Sequence, residues 1–190
     1  MAKVEIGART FLYPMPTTLV GANVDGKPNY LTVAYCGSVQ EKPAMISVSL
    51  TRTHYTNNGI KDNGTFSVNI PSEEMAEITD YCGLFSGKKV VKSRLFTTFY
   101  GGLETAPMIH ECPINLECRL VRIIDLGGSE EVFIGEIVEA YSEKRFMTEG
   151  LPDIKKINPF VFSMHDDTYW RVGEYLGKAF SIGRRLESGV

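Results

Sequence analysis

The chain has 190 residues, of which 43% are hydrophobic and 23% charged, and its 20 basic and 23 acidic side chains leave a formal net charge of -3. That size accommodates one core and so reads as a single domain over 1–190, and the charge balance offers no basic field to a nucleic acid or an anionic membrane surface. No apolar run approaches the roughly 18 residues of a membrane-spanning helix, and the amino terminus lacks the apolar stretch of a secretory signal, so the chain reads as cytoplasmic.

Glycine and proline divide the sequence into short pieces. Thr17–Val24 and Asn29–Cys36 flank Asp25-Gly26, a two-residue hairpin signal. In Ala44–Leu50, the apolar Ala44, Ile46, Val48 and Leu50 alternate with Met45, Ser47 and Ser49, the pattern of a half-buried strand. A helix is expected over Thr53–Asn63, capped by Thr53 and stopped by Gly64. A second is expected over Ser72–Tyr81, with Glu73 and Glu74 in its first turn and Gly83 just past its end. Leu116–Asp125 and Val132–Tyr141 form a long hairpin across Gly127-Gly128-Ser129, and strands follow at Phe160–Met164 and around Tyr169–Gly173. Many short strands with two or three small helices predict a mainly β protein folded as a closed or nearly closed barrel, because closure removes unpaired edges.

The cysteines, at 36, 82, 112 and 118, form no C-x-x-C pair, which argues for reduced thiols. The histidines at 54, 110 and 165 lack metal-ligand spacing, so no metal site is expected. Trp170, the one tryptophan, reads as a core aromatic.

Three segments carry candidate chemistry. In Asn29–Ser38, continuous alternation would set Thr32, Ala34 and Cys36 on one face. With Ser47 and Ser49 they would make a low floor where a flat ring can approach the backbone, although plain close packing of two strands gives the same pattern. Leu50–Thr56 runs from a strand end into a helix start, bringing hydroxyls, Arg52 and free helical N–H groups together. This is either an anion site or an ordinary capped helix with a solvated arginine. Phe85–Ser93 concentrates Lys88, Lys89 and Lys92 after a Ser86-Gly87 turn, a solvated basic face unless one of them turns inward.

Taken in order, Gly26–Val39, Pro43–Thr56, Gly64–Pro71 and Tyr81–Lys92 resemble the flavin reductase-like domain family, and flavoredoxins within it. The resemblance continues more weakly through the long hairpin to Asn158-Pro-Phe-Val-Phe162. It implies an FMN-binding split β-barrel that forms a homodimer with one FMN per protomer near the subunit interface. It also implies flavin contacts from Asn29, Tyr30, Leu31, Thr32, Val33, Ala34, Tyr35 and Cys36, with Tyr35 in a position to stack. Further contacts are implied from Ser49, Leu50, Thr51, Arg52, Tyr55 and Thr56 at the strand-to-helix junction, and from Ser86, Lys92 and Phe162.

The resulting reading is a redox protein that passes electrons through non-covalent FMN. Such chemistry resides in the cofactor and requires no acid–base dyad of the protein. No G-x-G-x-x-G fingerprint marks a dinucleotide-binding domain, so NAD(P)H, if it is the donor, binds transiently over the flavin; a redox partner protein is the other candidate donor. A ferric reductase, and a non-catalytic FMN barrel for storage or sensing, are the alternatives.

Overall fold

The computed structural model describes residues 1–186. A short strand β1 (Met15–Pro16) precedes the first hairpin, β2 (Thr18–Val24) and β3 (Lys27–Val33). Asp25 and Gly26 both take positive φ, 51° and 71°, as a two-residue turn matched to strand twist requires. Pro28 lies inside β3, which begins two residues earlier than Asn29. It is tolerated because β3 is an edge strand, where the missing N–H faces no ladder partner.

A bend at Ala34–Tyr35 leads to β4 (Cys36–Gln40), which pairs with β5 (Met45–Thr51). Ile46, Val48 and Leu50 of β5 are buried while Met45, Ser47 and Ser49 are half-exposed, as the alternation predicts. After α1 (Thr56–Asn63) come β6 (Thr65–Ile70), α2 (Ala76–Leu84) and the small strands β7 (Thr98–Phe99) and β8 (Met108–Ile109). The long hairpin consists of β9 (Ile114–Asp125) and β10 (Glu130–Ser142). Beyond it lie β11 (Met147–Thr148), β12 (Leu151–Pro152), the single turn α3 (Ile154–Ile157), β13 (Phe160–Ser163) and β14 (Thr168–Arg171).

The main sheet runs β3-β2-β6-β9-β10-β5-β4, antiparallel throughout. Its two end strands, β3 and β4, are separated in sequence only by Ala34 and Tyr35. The sheet therefore curls until its ends nearly meet, and the Ser49 N–H donates to the Tyr35 carbonyl at 2.9 Å, carrying the β4–β5 ladder into the corner. The result is the expected split barrel. Val20, Val33, Val48, Phe66, Cys118 and Phe133 fill its interior, while Leu19, Tyr30, Cys82, Phe96, Ile109 and Cys112 form a second apolar cluster where α2 packs on β3.

Four expectations change. Asn29–Cys36 is not one strand, because barrel closure demands a corner at Ala34–Tyr35; Cys36 begins β4 and packs against the barrel core instead of a ligand floor. Helix α1 starts at Thr56, not Thr53, and no side chain caps it, although its left-handed stop at Gly64 is as predicted. Glu73 and Glu74 open a 3-10 turn that runs into α2, and Gly83 lies inside that helix. Gly83 serves close approach: a Cβ there would sit 3.3 Å from Cβ of Thr32 on β3. Trp170 is 62% exposed on β14 and is no part of the core. The four cysteines are free thiols, and no group of three or more His, Cys, Asp and Glu with metal-binding geometry occurs among the described residues.

Candidate cofactor site

The corner at Ala34–Tyr35 opens a gap between β3 and the end of β5. Thr32, Val33, Ala34, Tyr35, Ser49, Leu50 and Thr51 line it, joined by His54, Glu130 and Met164, and it encloses about 170 Å³. Small and half-buried side chains on its walls leave room for a flat group against the backbone. The Tyr35 hydroxyl lies 3.2 Å from Thr10 Oγ1 and 3.6 Å from Met164 Sδ, which fixes the ring at the compartment's edge.

A second compartment of about 220 Å³ lies at the start of α1. Asn29, Leu31 and Lys92 meet there with Thr53–Thr56 and Gly83–Gly87. Asn29 donates to Thr56 Oγ1 at 2.8 Å, and the Ser86-Gly87 turn lies so close over Asn29 that a Cβ on Gly87 would collide with its amide oxygen. The Tyr55 hydroxyl donates to Asp25 at 2.7 Å, tying the helix start to the first hairpin. Among the described residues, the backbone N–H groups of Tyr55 and Thr56 meet no acceptor. They are the orphan donors that a helix start offers to an anion.

Lys92 is the cation of this compartment. Its side chain is 3% exposed, and Nζ donates to the carbonyls of Tyr30 at 2.8 Å and Cys82 at 2.6 Å. An ammonium has three protons, so one remains for a ligand. Burial holds its pKa below the ordinary lysine value, and burial pushes the neighbouring Cys82 thiol up to about 11. Lys88 instead lies over the Tyr55 ring, 6.0 Å from its centroid, at the surface.

His54 lines both compartments. Sites for small molecules typically enclose about 300–1,000 Å³; each compartment alone is smaller, and both have His54 in their walls. Two larger clefts, of about 440 and 490 Å³, flank α2. Glu73 lines the first, with Arg171 held on it, and Glu74, Glu77 and Glu111 line the second, so an anion is disfavoured there.

Of the residues expected at the site, Asn29, Leu31, Tyr55, Thr56, Ser86 and Lys92 line the anionic compartment, and Thr32, Val33, Ala34, Tyr35, Ser49, Leu50 and Thr51 line the other. Four do not. Tyr30 is fully buried, its ring edge-on to Phe96 and its hydroxyl 2.8 Å from Thr98 Oγ1, and only its carbonyl reaches Lys92. Cys36 is half-buried against the barrel core, and burial raises its thiol to about 11. The Arg52 guanidinium grips both carboxylate oxygens of Asp125 and donates from Nε to the Gly128 carbonyl at 2.7 Å, so it anchors β5 to the β9–β10 turn instead of facing the anionic compartment. Phe162 pairs with Met15 and packs on Tyr169, as the buried Phe160 also does; Met164 is the member of that segment that reaches the site.

Sequence reasoning included His54 only as part of the Leu50–Thr56 junction, and it did not reach Glu130 or Met164. His54 was signalled by its place between Thr53 and Tyr55 in the junction. Glu130 and Met164 arrive from distant hairpins, with no local signal.

A model of the flavin reductase like domain matches residues 9–154. Over the structure as a whole, the chain is similar to a crystal structure of flavoredoxin from Methanosarcina acetivorans, with a TM-score of 0.95 and 48% identity, covering 98% of this chain and all of that one. It is similar also to the flavoredoxin of Desulfovibrio vulgaris (Miyazaki F), with a TM-score of 0.89 and 36% identity over 96% of this chain and all of that one. An uncharacterized protein of Archaeoglobus fulgidus is 32% identical over 157 residues, 82% of this chain and 85% of its own length.

Proposed function

This chain belongs to the flavin reductase-like domain family, and from that premise we propose that it is an FMN-dependent electron-transfer protein whose cofactor spans the two compartments joined at His54. The observation that carries this reading is the pairing of a small-walled gap at the β3–β5 seam with a donor set suited to phosphate: the free proton of Lys92, the Tyr55 and Thr56 N–H groups, and the Thr56 and Ser86 hydroxyls. Riboflavin would leave those donors unmatched, which favours the phosphorylated flavin. Bound FMN supplies hydride and single-electron chemistry; the protein contributes position, charge and limited water access.

The family resemblance further supports a homodimer. On the described surface Tyr175, Leu176 and Phe180 are 72%, 91% and 100% exposed, and Val4, Ile6 and Leu12 on the amino-terminal segment are 80%, 63% and 68% exposed. Large apolar side chains left this exposed fit coverage by a second copy. No described helix is long and apolar enough to cross a membrane.

The test of electron transfer is anaerobic. FMN-loaded protein is titrated with NADH, with NADPH, and with a chemical reductant followed by an electron acceptor protein, while the flavin absorbance is recorded. Bleaching by a nicotinamide makes the protein a flavin reductase, and bleaching by the chemical reductant followed by electron delivery makes it a carrier. Bound flavin that accepts electrons from no nicotinamide and delivers none to an acceptor would overturn the redox reading in favour of a non-catalytic binder.

A further inference from the structure

The ring of His54 stands where the two compartments meet, and its two nitrogens have different surroundings. Nδ1 is buried and has no hydrogen-bond partner. Nε2 is not among the buried unpartnered atoms, and no protein group among the described residues bonds to it, so it is the nitrogen open to a ligand. A proton on Nδ1 would be a buried donor without an acceptor, which is costly, whereas a bare lone pair there is cheaper. The neutral ring therefore carries its single N–H on Nε2.

We propose that His54 is a neutral hydrogen-bond donor whose Nε2–H holds the ribityl chain of the flavin as that chain passes from one compartment to the other. The inference rests on the flavin reading of the site and adds a residue and a ligand segment to it. A flat ring fits the seam and a phosphate fits the Lys92 end, so the polyhydroxyl linker is what remains at the junction. A hydroxyl needs a donor there and not a charge.

The charges that act on the imidazole agree. Burial disfavours its protonation most, the Lys92 cation adds to that effect, and Glu130 opposes it less strongly, so the pKa falls below the ordinary histidine value. A lowered value means that the ring is neutral at and above neutral pH and gains its proton only in more acid solution.

Affinities of three flavins separate the possible roles. FMN has ring, linker and phosphate; riboflavin lacks the phosphate; lumiflavin lacks phosphate and linker. Replacing His54 by Leu should weaken FMN and riboflavin by the same factor, roughly 3- to 10-fold for one neutral hydrogen bond, and leave lumiflavin unchanged. His54→Gln, which keeps a donor, should recover most of the loss. Riboflavin has no phosphate to titrate, so its affinity for the unaltered protein should stay level between about pH 7 and 8.

Imidazole 15N resonances of the flavin-free protein give a reading that needs no variant. They should show the N–H of His54 on Nε2 and no protonation at neutral pH. A loss confined to FMN would assign His54 to the phosphate, an equal loss for lumiflavin would assign it to the ring, and riboflavin affinity that climbs as the pH falls would show a charged imidazolium; each result overturns the proposal. If the unaltered protein binds none of the three, the flavin reading itself has failed, whereas the other contrary results leave that reading intact.

Discussion

Lys92 and Arg52 show how burial decides the use of a cation. Both were visible in the sequence as basic residues near hydroxyls. Lys92 is enclosed beneath α2 and keeps a proton for the site, whereas Arg52 spends its guanidinium on Asp125 and Gly128. Nothing near Arg52 in the sequence announces that partner, which lies 73 positions away. Lys92→Met should lower FMN affinity on the order of 10–150-fold, the value of a charged hydrogen bond, and riboflavin affinity much less. Because Lys92 lines the phosphate end, the flavin reduction potential should barely move. The variant also leaves two carbonyls without their donor, at a stability cost of about 1–3 kcal/mol each at most, so thermal melts belong beside the binding curves. Arg52→Ala should change FMN affinity less than about threefold, since no bond to the ligand is lost. A large, FMN-selective loss in Arg52→Ala would return the arginine to the phosphate. The pair has an acid signature too. Arg52 and the Gly127 N–H hold the Asp125 carboxyl at about 2, below its ordinary 3.8. A depressed folded-state value means that this contribution is complete above about pH 4 and disappears as pH falls towards 2. Asp125→Asn should remove that portion of the acid-limb stability profile and leave the profile above neutrality parallel to the original.

Helix α1 presents Tyr55 and Thr56 to the site, and its position is set by a contact with β2. A Cβ on Gly59 would collide with the Asn23 carbonyl oxygen, a backbone atom that cannot turn aside. Gly59→Ala should therefore push α1 from the sheet, destabilise the protein by about 1–3 kcal/mol as overpacking does, and weaken FMN through the displaced junction. Gly37→Ala, where nothing lies within 4 Å, should be close to neutral in both measurements. Elements whose signals are local were legible: Asp25-Gly26 fixed the first hairpin, alternation fixed β5, and Gly64 fixed the end of α1. The corner between β3 and β4 was not, because the residue pattern runs through Ala34 and Tyr35 unbroken and only closure of the sheet requires a bend. For the same reason Gly83 looked like a helix stop, when its lack of a side chain answers to Thr32 on another element.

The split barrel brings together segments that are each ambiguous alone. The strand of small residues, the strand-to-helix junction and the lysine turn allowed a plain structural reading one at a time, and the curled sheet places them around two compartments that share His54. What the sequence left hidden came from long-range closure: Glu130 and Met164 reach the site from the later hairpins, while Phe162 is held aside by its pairing with Met15. A homodimer should sediment at about twice the 21.2 kDa of one chain at micromolar concentration with FMN bound, and a single-chain species alone would contradict that assembly. The claim on which the rest depends is that one FMN occupies both compartments. Equilibrium dialysis of the purified protein against micromolar FMN is the decisive measurement: one FMN per chain should be retained, and more tightly than riboflavin, whereas no retained flavin, or equal retention of the two, would show the claim to be wrong.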